Sequence, residues 1–202
     1  LAMKLPDRLR VVAAMVPPGS TCMDIGTDHA RLPIELVLRG RAPRVIAADK
    51  REKPLDGARS NVEAAGLSGL VDVRMSDGFE GLAEGEAEVV TLAGMGGDNI
   101  AAMVGRGDPA RLGVTVLVVQ ANTNQELVRE ALWAAGWWIE AEELCVDAGR
   151  VYLTMRARVG PRMGEPPTLS EIMLGAQLPS RGGPLFGAWL GALTEHQRTR
   201  LA

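Results

Sequence analysis

The chain has 202 residues, 47% of them hydrophobic, and its 22 Lys and Arg against 25 Asp and Glu give a formal charge of −3. That length supports one domain of ordinary size plus a small appendage, with enough apolar residues for a substantial core. No run of about 18 apolar residues occurs, which excludes a membrane-spanning helix, and the net charge argues against strong nonspecific nucleic-acid binding. The charge is uneven along the chain. Residues 1–59 hold 11 basic and 7 acidic side chains, residues 60–149 hold 4 and 15, and residues 150–202 hold 7 and 3. Two basic ends therefore flank an acidic middle, and a fold that joins the ends would offer one basic face to a polyanion. The N-terminal residues carry no secretory pattern, so a cytoplasmic location is expected. Cys22 and Cys145 lie in apolar, strand-like runs and read as buried thiols rather than a disulfide or a metal pair.

An amphipathic helix is predicted over Asp7–Val16, stopped by Pro17-Pro18-Gly19. A first strand follows over Ser20–Ile25, then a helix over Leu32–Arg39 with Pro33 suited to its first turn. Arg44–Asp49 reads as a second buried strand, Leu55–Ala65 as a helix closed by Gly66, and Val71–Met75 as a third strand. Ala87–Leu92 is a fourth strand, followed by a glycine-rich loop and a helix over Asp98–Val104. Val114–Val119 is a fifth strand, β-branched throughout most of its length, and Asn124–Ala135 a helix capped by Gly136. Trp137–Cys145 and Arg150–Val159, joined by Asp147-Ala148-Gly149, form an antiparallel hairpin. Gly160–Pro167 reads as a linker, and Leu169–Ala202 as two short helices separated by Pro179–Pro184. The alternation of strands and helices implies an α/β, Rossmann-like sheet, mostly parallel with right-handed crossovers and a closing antiparallel hairpin. The expected division is a Rossmann-like domain over residues 1–160 and a short helical region over residues 161–202.

In such a sheet ligands bind beyond the carboxyl ends of the strands. The first strand ends in Asp24 and turns at Gly26 into Thr27-Asp28-His29. Asp49 ends the second strand, where a carboxylate can accept hydrogen bonds from ribose hydroxyls. Nicotinamide enzymes use the same device but add a third glycine for the pyrophosphate; here Asp28-His29 stands in its place. An acidic first loop disfavours phosphates and favours a cationic cofactor, so methyl transfer from S-adenosylmethionine is weighted above hydride transfer. Asp77-Gly78, after the third strand, can accept from an adenine amine or form a plain turn. Ala93-Gly94-Met95-Gly96-Gly97 has more glycines than a turn needs, so backbone is expected to approach a ligand there. Gln120 and Asn122 follow the fifth strand and either read a base edge or, in the case of Asn122 or Asn124, start the next helix. Trp133, Trp137 and Trp138 read as core packing and lid. With His29 and His196 far apart and no cysteine cluster, no metal site is expected.

These motifs resemble the bacterial tRNA (adenine-N1)-methyltransferase family TrmK. The matching segments are Asp24-Ile25-Gly26-Thr27-Asp28-His29-Ala30 with Leu32-Pro33, then Ala93 to Gly97, then Val119-Gln120-Ala121-Asn122. The helix over Leu5–Val16 and Val151-Tyr152 of the hairpin add to the likeness, which spans about residues 5–195. The family usually has Tyr at the position of Arg31, Pro at Ala121 and Ser at Thr27. The resemblance implies methylation of adenine 22 N1 in tRNA, with S-adenosylmethionine as cofactor. It implies cofactor contacts from Asp24, Gly26, Thr27, His29, Leu32, Asp49, Lys50, Asp77, Gly78, Ala93, Gly94 and Met95. Asp28 is then the candidate for stabilising charge at the target base, with Gln120 and Asn122 holding its edge. Arg8, Arg10, Arg31, Arg156 and Arg158 are expected to meet RNA phosphates. The expected partner is tRNA, with no membrane and no metal, and the chain acting as a monomer or weak dimer. The alternative is a class I methyltransferase acting on another RNA or on a small molecule.

Overall fold

The computed structural model describes residues 5–160 and 166–201. Seven strands form one sheet: β1 (Cys22–Ile25), β2 (Val45–Asp49), β3 (Val71–Met75), β4 (Val89–Met95), β5 (Val116–Ala121), β6 (Trp137–Asp147) and β7 (Arg150–Val159). Their order is β3-β2-β1-β4-β5-β7-β6. The first five strands are parallel, and β7 runs antiparallel to both β5 and β6. This is the Rossmann-like methyltransferase sheet expected from the alternation of elements.

The inner parallel strands β1, β2, β4 and β5 are largely apolar because both faces of the sheet are covered there, whereas β3, at the edge, carries Asp72 and Arg74. Cys22, Val45, Val89, Val116 and Val118 point to one face, against α1 (Asp7–Met15) and α2 (Arg31–Leu38). On the same face, Ala47 and Val71 meet Ala58 and Val62 of α3 (Glu52–Ala64). Residues of the opposite parity (Met23, Ile46, Val90, Leu117, Val119) pack with Ile100 of α4 (Gly97–Gly107) and with Val128 and Leu132 of α5 (Gln125–Ala134).

The C-terminal region forms three helices, not the expected two: α6 (Leu169–Leu174), α7 (Leu178–Arg181) and α8 (Gly183–Leu201). Pro179 lies within the first turn of α7 and Pro184 within that of α8, positions where a missing N–H costs nothing. The tail packs on the sheet's own core, with Leu178, Trp189 and Leu193 buried beside Leu153 and Met155 of β7. Arg129 of α5 joins these layers. It donates to Glu142 Oε1 of β6 through Nε and Nη2 (3.0 and 2.8 Å) and to the Ile172 carbonyl of α6 (3.0 Å). Residues 161–165 of the expected linker lie outside the described residues.

The hairpin turn takes Ala148 and Gly149 at φ of +47° and +77°, the paired positive φ angles that match the twist of two-residue hairpins. Along β7, only Met155–Arg158 pairs with β5, in the order Val119↔Met155 to Val116↔Arg158. The hairpin tip therefore projects past the carboxyl ends of the parallel strands, while Arg158 sits at the amino end of β5 and Arg156, opposite Val118, midway along it.

Candidate active site

A cavity of about 650 Å³ opens at the carboxyl ends of β1, β2 and β4. Asp24, Gly26, Leu32, Asp49, Lys50, Asp77, Gly78, Ala93, Gly94 and Met95 line it, as expected from the sequence, together with Asp28, Arg8 and Arg31. The expected residues Thr27 and His29 are not part of its wall. Thr27 is buried, and the His29 ring packs on α3, where a Cβ on Gly57 would stand 2.3 Å from its Nδ1. His29 has φ +59°, and the following Ala30 +53°. These two left-handed residues lead the chain into α2 and turn the imidazole away from the cavity.

Asp24 is 5% exposed and accepts a 2.6 Å hydrogen bond from the Thr91 hydroxyl of β4. Burial pushes its carboxyl up to about 6, and the neighbouring charge of Asp49 adds to the rise. Among the described residues no cation pairs with it. Asp49 Oδ1 takes both the Arg51 backbone N–H (2.9 Å) and the Arg51 Nε (3.2 Å). Its Oδ2 has no protein donor among the described residues and suits a ribose hydroxyl. Asp77 lies 3.3 Å from Arg106 of α4, so the third carboxylate also has a cation.

The expected anionic crevice is therefore only locally anionic. Four carboxylates, Asp24, Asp28, Asp49 and Asp77, share the wall with Arg8, Arg31, Lys50, Arg51 and Arg106. Arg8 and Arg106 arrive from α1 and α4, far from the acidic loop in sequence, so reading that loop alone missed them. Asp24 is the buried carboxylate without a basic partner; the exposed Asp28 has only the His29 imidazole, at 3.3 Å.

The glycine-rich segment divides into two roles. The β4–β5 register slips between Ala93 and Met95, which makes Gly94 the extra residue of a β-bulge. Gly94 has φ +78° and lines the cavity. Its carbonyl accepts from Asn122 Nδ2 at 2.9 Å, a side-chain bond in place of a ladder partner. Gly97 serves packing instead. A Cβ there would lie 2.3 Å from the Asn124 carbonyl oxygen and 2.5 Å from that of Thr123.

Gln120 and Asn122, expected to hold a base edge, are not in the cavity wall; Asn122 is exposed beside Gly94 and Gln120 lies beneath it. Gln120 is fully buried; its Oε1 accepts from Arg8 Nη1 (3.1 Å) and its Nε2 donates to Asn122 Oδ1 (3.0 Å). Both amide ends of Gln120 are thus spent on protein. Asn124, not Asn122, takes the N-cap position of α5, with φ +53°.

The basic residues also separate. Arg156 and Arg158 both pair with Glu140 (2.5 and 3.0 Å), and Arg156 donates to the Met15 carbonyl; both lie outside the cavity wall, Arg158 at the amino end of β5. Arg10 pairs with Asp7 at 2.7 Å and donates to the Leu5 carbonyl, outside the cavity wall. None of these three reaches the site. A further cation lies beyond the carboxyl ends of the strands without lining the cavity: Arg150, at the hairpin tip, is exposed and lies 5.8 Å from the Tyr152 ring centroid. Arg8 sits 5.9 Å from the same ring. Only the strand register distinguishes Arg150 from Arg158 within β7.

The cradle fits S-adenosylmethionine. Asp24 supplies a buried carboxylate with no cation of its own. Gly26 keeps backbone close to the floor: at φ +78°, with a Cβ that would lie 3.2 Å from Met95 Sδ, no side chain is accommodated there. Among the described residues, no group of three or more His, Cys, Asp and Glu side chains is placed to hold a metal ion. Both cysteines are free; burial raises the Cys22 thiol far above its ordinary range, while Cys145 is only half-buried. Among the described residues no helix is long and apolar enough to cross a membrane.

Comparison with known proteins agrees with this geometry. Residues 5–155 match the family model described as a methyltransferase domain. The tRNA (adenine(22)-N(1))-methyltransferase of Bacillus subtilis (strain 168) is 36% identical over 160 residues, covering 79% of this chain and 67% of that protein. The crystal structure of the B. subtilis m1A22 tRNA methyltransferase TrmK superposes with a TM-score of 0.86 at 31% identity, over 97% of this chain and 86% of that one. A Streptococcus pneumoniae protein crystallised with S-adenosyl-L-methionine gives 0.89 at 32% identity, over 97% and 91% of the two chains. The sheet order, the cavity and these likenesses lead to one assignment: the chain belongs to the tRNA (adenine(22)-N(1))-methyltransferase family and is built on its methyltransferase domain.

Proposed function

We propose that this protein transfers a methyl group from S-adenosylmethionine to N1 of adenine 22 in tRNA. The observation that carries this reading is Asp24, a buried carboxylate without a cation, on the wall of a cavity bounded opposite by the Gly94 bulge. Asp24 would face the cationic part of the cofactor, Asp49 its ribose, and Asp77-Gly78 its adenine. When bound, the cofactor supplies a methyl already activated on a sulfonium.

Adenine N1 carries a lone pair in the neutral base, so no general base is required before attack. The protein's task is then to position an unpaired base, because N1 lies on the Watson–Crick edge. Asp28, on the cavity wall with its side chain 78% exposed and 3.3 Å from His29 Nε2, is placed to offset positive charge developing on the base. Arg31, at the start of α2, offers a guanidinium plane for stacking on the base. The cations that would meet RNA phosphates are those at the catalytic end: Arg31, Lys50 and Arg150.

Mass spectrometry of tRNA nucleosides after incubation with enzyme and methyl-labelled cofactor tests the reading. Labelled 1-methyladenosine, lost when adenine 22 is replaced, is the expected product. Label on another nucleoside, or none, would overturn it.

A further inference from the structure

The sequence placed Arg8 among phosphate-binding cations. The structure gives it a different set of partners. Its Nη1 donates to the buried Gln120 Oε1 at 3.1 Å. That bond fixes which end of the Gln120 amide faces which way, so Nε2 donates onward to Asn122 Oδ1 at 3.0 Å. The Asn122 amide is fixed in turn, and its Nδ2 donates to the Gly94 carbonyl at 2.9 Å. Each amide has one donor end and one acceptor end, so the direction set at Arg8 is passed along the chain of bonds without ambiguity. The far end is the bulge residue that bounds the cavity. A bulge lacks a ladder bond to hold it and needs another partner. Arg8 is itself braced by Asp147 Oδ2 (3.6 Å from Nε) and lies over the Tyr152 ring, both on the hairpin.

We infer that Arg8 is a positioning residue for methyl transfer: through Gln120 and Asn122 it sets the conformation of Gly94 at the reacting end of the cavity. This rests on the methyltransferase reading above. Helix α1 thus reaches over the carboxyl end of the sheet to control the bulge near the end of β4. Removing the guanidinium frees both amides to rotate and leaves the Gly94 carbonyl without a fixed donor. A misplacement near 1 Å at a reacting centre costs up to about 100-fold in rate.

The test compares Arg8→Met, Gln120→Glu, Asn122→Ala and the double variant Arg8→Met/Asn122→Ala. Gln120→Glu keeps an acceptor for Arg8 but cannot donate to Asn122, so it breaks the chain one link further on. Each single variant should lower kcat by about 10- to 100-fold; in Gln120→Glu and Asn122→Ala, whose residues lie outside the cavity wall, KM for S-adenosylmethionine and for tRNA should stay within about twofold of wild type. The double variant should be no slower than the slower single one, because both cut the same chain. Two-dimensional NMR of the unliganded protein gives a readout independent of activity. The Met95 amide, which shares a peptide bond with the Gly94 carbonyl, and the Asn122 side-chain amide should both shift in Arg8→Met and in Gln120→Glu. Losses that multiply in the double variant, a raised KM for tRNA at unchanged kcat, or unshifted Met95 and Asn122 signals would each overturn the inference. Should Arg8→Met not fold, Gln120→Glu decides the matter by the same two readouts. Failure of the wild-type enzyme to methylate tRNA would instead count against the function itself and leave the NMR comparison standing.

Discussion

Asp24 shows how one residue couples the fold to its ligand. Its carboxyl, raised to about 6 by burial, is easier to protonate in the native state than in the unfolded chain. Its contribution to stability is therefore fully present below its unfolded value of 3.8 and is lost as pH rises through about 6. The unliganded protein should lose stability across that window, and Asp24→Asn should flatten the profile measured by thermal melts. Ligand binding runs the opposite way, since a cationic cofactor needs the ionised carboxylate. The Kd for S-adenosylmethionine should rise about tenfold between pH 7 and pH 5, and calorimetry on Asp24→Asn should find weaker binding with no such slope. At the same scale the sequence was informative wherever chemistry is local. Asp24, Asp49 and Asp77 lie at or just beyond the carboxyl ends of β1, β2 and β3, and that position sends them toward the cavity. His29 was misread because its direction depends on two consecutive left-handed residues and on the space left by Gly57 of a different helix. Gln120 was misread because burial and a partner 112 positions away consume its amide.

At the scale of elements, the hydrophobic pattern marked the strands and the five α-helices of the Rossmann-like portion: the inner parallel strands read as apolar runs because both their faces are buried, and the antiparallel hairpin was betrayed by its short turn. The bulge at Gly94 was not legible, since a one-residue slip between β4 and β5 leaves no mark in composition. Nor was the division of labour between Gly94 and Gly97, which depends on how α4 meets the loop before α5. Gly97→Ala places a Cβ against the carbonyl oxygens of Thr123 and Asn124, so it should destabilise the protein by about 1–3 kcal/mol, read from urea unfolding. The joint between α5, β6 and α6 carries a larger effect. Arg129 and Glu142 have side chains 2% and 0% exposed. Arg129→Met leaves a carboxylate buried without its cation and frees the carbonyls at the end of α6. It should cost about 3–5 kcal/mol in the same measurement. A loss within about 1 kcal/mol would mean that water reaches Glu142 and the joint is not sealed.

At the scale of the whole molecule, the hairpin register sorts the arginines by which end of the sheet they occupy. Charge counted along the sequence joined Arg8, Arg150, Arg156 and Arg158 into two basic ends; the antiparallel β7 carries its own basic residues to opposite poles. Arg150→Ala should weaken tRNA binding by severalfold and reduce the steepness of its salt dependence by roughly one counterion, while leaving cofactor affinity unchanged. Arg158→Ala, at the pole tied up by Glu140, should do neither. Equal effects from the two would place RNA across both ends of the sheet. The C-terminal helices add a last consequence. Because Trp189 and Leu193 complete the same apolar interior that Met155 and Leu132 belong to, the tail has no separate melting event available to it. Scanning calorimetry should register a single cooperative endotherm in which sheet and tail helices melt together, and Trp189 fluorescence followed through the same temperatures should change in step with it.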